Sequence, residues 1–519
     1  MNADRADEPG AIGAAGAAAG AVGAADVAGA AGAAGAADVI VVGGGNAGFA
    51  AALAAVERGR RVVLLEKAPR DAAGGNSYYT AGATRITHGG LDDLRDILDA
   101  DPRHERTVVP PYSAEEYVAD ITSLSGGRND PDRTAVLVGD SHDTLRWLHG
   151  LGMRYELLYG RQAYSQTDGG WLFWGGLHVG NVGGGVGMIE DYTRIAGNLG
   201  VDIRYQHRVT ALTTDGDRVT GVVVDTPNGR QQLAAGSVIL AAGGYHANPE
   251  LLTEHLGAGW DQVVVRGTPY STGDLISAAL EVGAARDGDW DTVHAVQLDA
   301  WYAENSSNRE LTNRLARLSY PLGIVVNRDG ERFFDEGADF RNYTYSKLGK
   351  EVLAQPGNIA FQLFDSRTRE LLRPDQYDMP GISVVIADTV EDLARQAGID
   401  PAGLTETVLE FNASITPDAA FDPTIKDGRR ADVAPPKSNW AVELAAPPFY
   451  AYPVTCGITF TYGGIASDVD GRVLDEHGAP IAGLFVSGEM LGGIYWGGYP
   501  GGAGLALGAV FGRRVGLLA

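Results

Sequence analysis

The chain has 519 residues, 45% of them hydrophobic and 21% charged, enough for a large core shared by two or three domains. Its 41 lysines and arginines face 66 acids, and the formal net charge of -25 argues against nucleic acid or an anionic membrane as the main partner. The single cysteine, Cys456, rules out an internal disulfide and any iron–sulfur cluster or attached haem, and it fits a reducing, cytoplasmic setting as a small buried apolar residue.

Residues 1–36 are almost entirely alanine and glycine, with scattered acids such as Asp4, Asp7, Glu8 and Asp26. Glycine interrupts every apolar run there, so the segment is expected to be a disordered extension and not a secretory signal. No later run is long and apolar enough to span a membrane. At Asp38 the texture changes. The run Asp38-Val-Ile-Val-Val-Gly-Gly-Gly-Asn-Ala-Gly48 reads as a strand, a glycine turn and the start of a helix over 47–58. Val62-Val-Leu-Leu-Glu-Lys67 then reads as a second strand ending in an acid. This is the spacing of a βαβ unit that holds a dinucleotide. Gly43 would allow the tight turn, Gly45 the approach of a pyrophosphate to the helix N-terminus, and Gly48 close helix–strand packing. Glu66 stands where a ribose hydroxyl needs an acceptor.

Further strands are predicted over 219–225 and 237–244, and a helix over 275–280. From about 291 to 433 the chain is richer in Arg, Asn, Tyr and acids, with short strands such as 323–327, and reads as an inserted domain. Glycine-rich strand and helix return in Gly483-Leu-Phe-Val-Ser-Gly-Glu489 and Gly501-Gly-Ala-Gly-Leu-Ala-Leu-Gly508. The expected division is therefore an extension (1–36), a nucleotide-binding domain in two parts (37–290 and 434–519) and an insertion (291–433).

With these motifs, and with Gly74-Gly-Asn-Ser-Tyr-Tyr-Thr-Ala-Gly-Ala83 and Gly337-Ala-Asp-Phe-Arg-Asn-Tyr-Thr-Tyr345, the chain resembles the flavoprotein subunits of the fumarate reductase and succinate dehydrogenase superfamily from Asp38 onward. Within it, the resemblance points to the tricarballylate dehydrogenase group. It implies an α/β fold: a Rossmann-like FAD-binding domain of the glutathione-reductase type, interrupted by an α+β capping domain. It also implies FAD at Gly43, Gly45, Gly48, Glu66, Lys67, Gly75, Asn76, Ser77, Val209, Ala242, Gly243, Asp274, Glu489, Ala503, Gly504 and Leu505. Residues 67–87 contain no histidine, so noncovalent FAD is expected.

The resemblance implies removal or addition of hydrogen across a carbon–carbon bond beside a carboxylate or carbonyl, with hydride exchanged at flavin N5. Arg341 matches the proton-transferring arginine, and His294 a histidine that binds a substrate carboxylate. Phe460 stands where the superfamily has a second histidine, and Tyr499-Pro-Gly-Gly where it has an arginine. The Tyr-Pro-Gly run is similar to that of 3-ketosteroid Δ1-dehydrogenases, in which the tyrosine bonds a carbonyl oxygen. Cations for a carboxylate-rich substrate could come from Arg314, Arg317, Arg341 and Lys347. Trp171, Trp174 and His178 are candidates for the substrate side of the flavin. The leading expectation is desaturation of tricarballylate to cis-aconitate, with Arg341 as base and His294 and Tyr499 orienting the substrate. Electrons would pass to a separate acceptor, a quinone or a membrane electron-transfer protein, which could hold the chain peripherally at a membrane. The alternatives are an enoate reductase, a 3-ketosteroid Δ1-dehydrogenase-like enzyme, or a flavin-carrying subunit that is inactive alone.

Overall fold

The computed structural model describes residues 37–416 and 419–519. The extension expected over 1–36 lies outside the described residues. The chain enters through β1 (Ala37–Val42), α1 (Asn46–Glu57) and β2 (Val62–Leu65), and returns to the same layer with β3 (Gly229–Leu240). It then forms β4 (Arg286–Asp299) and the 17-residue β5 (Phe449–Ile465) of a second sheet. It ends with β6 (Pro480–Val486) and α2 (Ala503–Leu518).

In the first sheet β6, β3, β1, β2 and the short strand Asp202–Arg204 run parallel in that order. Val39, Ile40 and Val41 of β1 are fully buried, as expected of a central strand covered on both faces. The strands Arg208–Asp215 and Arg218–Thr226 form an antiparallel meander with β3 at the edge of this layer. Gly43, Glu66, Ala241 and Ser487 each follow a parallel strand. The carboxyl ends therefore open on one crevice, the usual ligand position in such a sheet.

α2 packs along α1 in the same direction, through small residues at four-residue spacing. Gly508 lies against Ala47, Gly512 against Ala47 and Ala50, and Gly516 against Ala51 and Ala54. A side chain on Gly512 would press into the Ala47 carbonyl, and one on Gly516 into that of Ala51. The helices thus touch backbone to backbone, and both N-termini reach the crevice.

In the second sheet β5 pairs antiparallel with β4, with Ala360–Phe364 and with Val385–Ala387. Ile324–Val326 extends it beyond Ala360–Phe364. This sheet, with helices such as Val390–Ala397 and Pro401–Ser414, is the α+β capping layer that interrupts the nucleotide-binding fold. β4 crosses residue 290 without a break, and β5 lies outside 291–433, so the sheet draws strands from both sides of the expected insertion. Residues 37–519 form one compact unit. Cys456 is buried within β5.

Replacing Gly512 with leucine should cost about 3 kcal/mol or more, because the obstacle is backbone that cannot move aside. Gly197→Ala, in an open position of the helix Gly184–Asn198, should be neutral or slightly stabilising. Thermal melts of the two variants check the contrast. Equal melting temperatures would show that α1 and α2 tolerate separation.

Candidate active site

The crevice continues from the carboxyl ends of the parallel strands to the capping layer as one cavity. Of the cofactor residues expected from sequence, all except Gly48 and Ala503 line it. Gly48 packs against the Gly43 carbonyl, where any side chain would overlap, and Gly43 itself has φ +112° beside the Ala241 carbonyl. Gly45 differs. The nearest atom to a side chain there would be Ser77 Oγ at 3.4 Å, so the space it guards belongs to the cavity. Ser77 Oγ accepts the Asn46 amide at 3.0 Å, while the Asn46 side chain donates to Leu505 O at 2.8 Å and accepts from Tyr192 at 2.9 Å. Asn46 therefore joins the N-terminus of α1 to that of α2.

Neither helix has a capping side chain or an acid in its first turn. Two positive helix ends thus face the cavity with no acid in the first turn, Ser77 Oγ taking only the Asn46 amide of α1. Glu489 holds one oxygen toward Thr461, whose amide and hydroxyl donate at 2.9 and 3.3 Å, and Gly244 leaves no room for a side chain beside it. Asn76 bridges two walls, donating to Thr459 O at 2.6 Å and accepting from the Thr268 amide at 2.9 Å.

Glu66 stands differently from the simple expectation. Its two oxygens accept the Gly44 and Ala68 amides at 2.7 and 2.8 Å, so the carboxylate first stabilises the glycine turn. Burial pushes its pKa up, against the pull of those amides. Lys67 donates to Asp274 Oδ2 at 3.0 Å, and Arg208 to the same oxygen at 2.8 Å. Burial alone would raise the Asp274 pKa, but these two cations hold it at about 2.

At the capping end Arg341 and Tyr499 line the cavity, and His294 does not. His294 lies at a bulge in β4 opposite Phe460, whose ring stacks on it at 5.2 Å. Tyr345 and Tyr499 close round it edge-on, each at 5.1 Å. Neither ring nitrogen has a partner among the described residues, and burial, aided by Arg266, holds the imidazole well below its ordinary pKa. His294 thus lies behind an aromatic wall, outside the residues that line the cavity. The Tyr345 and Tyr499 hydroxyls are hydrogen-bonded to each other at 2.7 Å.

Arg341 is buried. Its guanidinium lies over Trp174 at 5.1 Å and donates to the Arg161 carbonyl, and among the described residues no carboxylate side chain pairs with it. Burial and the nearby Arg161 lower its pKa to about 10, though Tyr164 opposes them. Three further arginines line this end: Arg161, Arg266 and Arg373. Reading the sequence did not single them out. Of the cations it did single out, Arg341 is here and the other three lie elsewhere. Arg317 is fully buried in an ion pair with Asp299 at 2.6 Å, Arg314 is exposed and donates to Glu310 and Leu311 carbonyls, and Lys347 is exposed. Trp171 packs on Tyr159, and His178 shares a hydrogen bond of 3.0 Å with His88.

A family described as FAD binding domain matches residues 38–505. Over 490 residues the chain is 31% identical to a probable fumarate reductase of Shewanella frigidimarina, covering 92% of this chain and 74% of that one. The chain belongs to the fumarate reductase and succinate dehydrogenase flavoprotein superfamily. This flavoprotein is also 26% identical to a 3-oxosteroid 1-dehydrogenase of Mycobacterium tuberculosis, over 90% of this chain and 95% of that one. A flavocytochrome c3 fumarate reductase structure in an open conformation superposes with a TM-score of 0.68 at 28% identity, covering 93% of this chain and 77% of that one. The flavoprotein is an FAD-dependent oxidoreductase acting on CH–CH bonds, and the uncapped helix ends, the space beside Gly45 and the free side of Glu489 fit that cofactor.

Because the Asp274 pKa is lowered, its stabilising effect is complete above the ordinary value of 3.8 and disappears as pH falls through about 2. The carboxylate is partly solvated, so about 1 kcal/mol is expected after screening. Acid unfolding of the wild type and Asp274→Asn, followed by flavin fluorescence, should differ above pH 4 and converge below pH 2. A constant difference down to pH 1.5 would show that the cation pairs are not its source.

Proposed function

We propose that this flavoprotein desaturates a CH–CH bond beside a carboxylate, and that tricarballylate, yielding cis-aconitate, is the substrate that suits the site best. The observation that carries this reading is Arg341: a desolvated guanidinium in the cavity wall, with its pKa lowered to about 10 and no ion-paired acid among the described residues. Bound FAD supplies the hydride-accepting chemistry. Arg341, in its neutral form, takes the proton from the carbon next to the carboxylate. The neighbouring arginines draw charge toward that carboxylate and make the C–H more acidic. Trp174 holds the Arg341 guanidinium flat, and the reciprocal amide pair Gln162–Asn342, at 3.1 and 3.3 Å, fixes the backbone that follows it.

The ketosteroid reading draws on the Tyr345–Tyr499 hydroxyl pair and the Phe460 wall, which suit a neutral carbonyl substrate. A neutral substrate would leave the arginines at the capping end without anions, and this favours the carboxylate. Relatives include a fumarate reductase of Shewanella frigidimarina whose name specifies cytochrome. By analogy the electrons of this enzyme pass to a separate acceptor, a quinone or a membrane electron-transfer protein. No helix of the described residues is long and apolar enough to cross a membrane. We place the enzyme in the cytoplasm, or peripherally at a membrane through that acceptor.

Anaerobic addition of tricarballylate, succinate and a 3-ketosteroid to the oxidised enzyme tests the substrate. Bleaching by tricarballylate is expected. Bleaching by the steroid alone would transfer the assignment to the ketosteroid reading.

Arg341→Ala should retain FAD and lose flavin reduction by about a thousandfold or more. In the desaturating direction the neutral guanidine is the base, so kcat/KM of the wild type should rise with pH toward about 10. In the reducing direction the protonated form is needed and the profile should fall. A flat profile in both directions would remove Arg341 from proton transfer.

A further inference from the structure

The four arginines at the capping end are not equivalent. Arg161 pairs with Asp375 at 2.7 Å. Arg373 is the residue before the short helix Pro374–Tyr377 and is buried, yet its side chain donates no hydrogen bond to the described residues. Its Nε and Nη2 are enclosed without acceptors, and its nearest acid is the same Asp375, at 3.6 Å and already bonded to Arg161. Arg266 follows the strand Val264–Val265 and spends one nitrogen on the Thr459 hydroxyl at 2.9 Å, while its Nε is enclosed and unpartnered. The acids that line the cavity, Glu66, Asp274 and Glu489, all lie in the nucleotide-binding stretches. Asp375 thus serves Arg161 directly and Arg373 only at 3.6 Å, and among the described residues Arg266 and Arg341 have no acid within ion-pair distance.

A desolvated cation without an anion or a full set of acceptors is strongly unfavourable. Among the described residues Arg266 and Arg341 have one acceptor each and no ion-paired acid, and Arg373 has only Asp375 at 3.6 Å, shared with Arg161. Burial lowers the pKa of each, and the field of Arg161 adds to the effect at all three, so they share one patch of positive potential. Such a patch persists in a fold when a ligand completes it. Guanidinium groups bind carboxylates by paired hydrogen bonds, and unused Nε donors are suited to that geometry.

We infer that Arg266 and Arg373 are the carboxylate anchors of the substrate site, and that the positive patch they form beside Arg341 favours a ligand with three carboxylates over one with two. They do the work that a histidine at 460 and an arginine at 499 would otherwise do. This rests on the carboxylate reading above and adds the residues that count the charges.

The test uses the oxidised holoenzyme and two ligands without an oxidisable CH–CH bond: citrate, with three carboxylates, and malonate, with two. Binding is read from the perturbation of the flavin spectrum. The wild type should prefer citrate. Arg373→Met and Arg266→Met should each weaken citrate binding by about a hundredfold and bring it to the level of malonate. Arg373→Lys should recover part of the loss.

The ligand-free Arg373→Met enzyme should also melt at a higher temperature than the wild type, because a buried cation whose acid is already bonded to Arg161 has been removed. A structural arginine would give the opposite change. Unchanged citrate affinity in either variant overturns the assignment of that residue, and a lowered melting temperature in Arg373→Met with unchanged citrate affinity makes Arg373 structural. If tricarballylate bleaches the wild type while the variants bind citrate normally, the function stands and the anchors fall. If the wild type binds neither citrate nor malonate and tricarballylate leaves it unbleached, both fall.

Discussion

The N-termini of α1 and α2 lie side by side because the two helices run parallel and in backbone contact. Two like helix ends repel, and here no acidic side chain in either first turn relieves them. The glycine stripe of α2 and the alanines of α1 enforce the contact by packing, so the electrostatic cost falls on whatever occupies the crevice. An anionic dinucleotide bridging both ends is the natural relief. The surrounding groups then make sense as its supports: Glu66 bracing the glycine turn, Asn46 joining the helices, and Lys67 and Arg208 gathering Asp274 at the far side.

The same logic recurs at the other end of the cavity with side chains in place of backbone. Arg266, Arg341 and Arg373 concentrate positive charge in a chain whose overall charge is -25. Phe460, Tyr345 and Tyr499 line the same cavity and pack around His294. That wall encloses the imidazole outside the cavity lining, and its burial lowers the pKa of the ring.

The nucleotide-binding half was legible because its constraints are local. β1, the glycine turn and α1 obey spacing rules, and the expected helix over 47–58 matches Asn46–Glu57 to within one residue. The strand expected over 219–225 is found as Arg218–Thr226, and that over 323–327 as Ile324–Val326. The substrate end was not legible in this way. Arg161, Arg266 and Arg373 sit in unrelated surroundings, Tyr-Gly-Arg-Gln, Val-Arg-Gly-Thr and Leu-Arg-Pro-Asp, and converge only through tertiary folding. Arg317 looked as plausible, until Asp299, 18 residues earlier, was found to claim it. Position in sequence carries little about which cations have lost their counter-ions. The bulge that turns His294 toward Phe460 likewise depends on pairing with a strand 166 residues away.

β5 carries one more consequence. Its N-terminal half is hydrogen-bonded into the capping layer at Ala360–Phe364, and its C-terminal half passes Thr459, Phe460 and Thr461 along the cofactor crevice. A single extended backbone thus acts as a beam fixed in both layers. Opening of the crevice by wholesale hinging would have to break its ladder, which includes five residue pairs with Ala360–Phe364 alone. The capping layer and the cofactor crevice are thus joined by one continuous strand, and any shift of one layer is carried to the other through it.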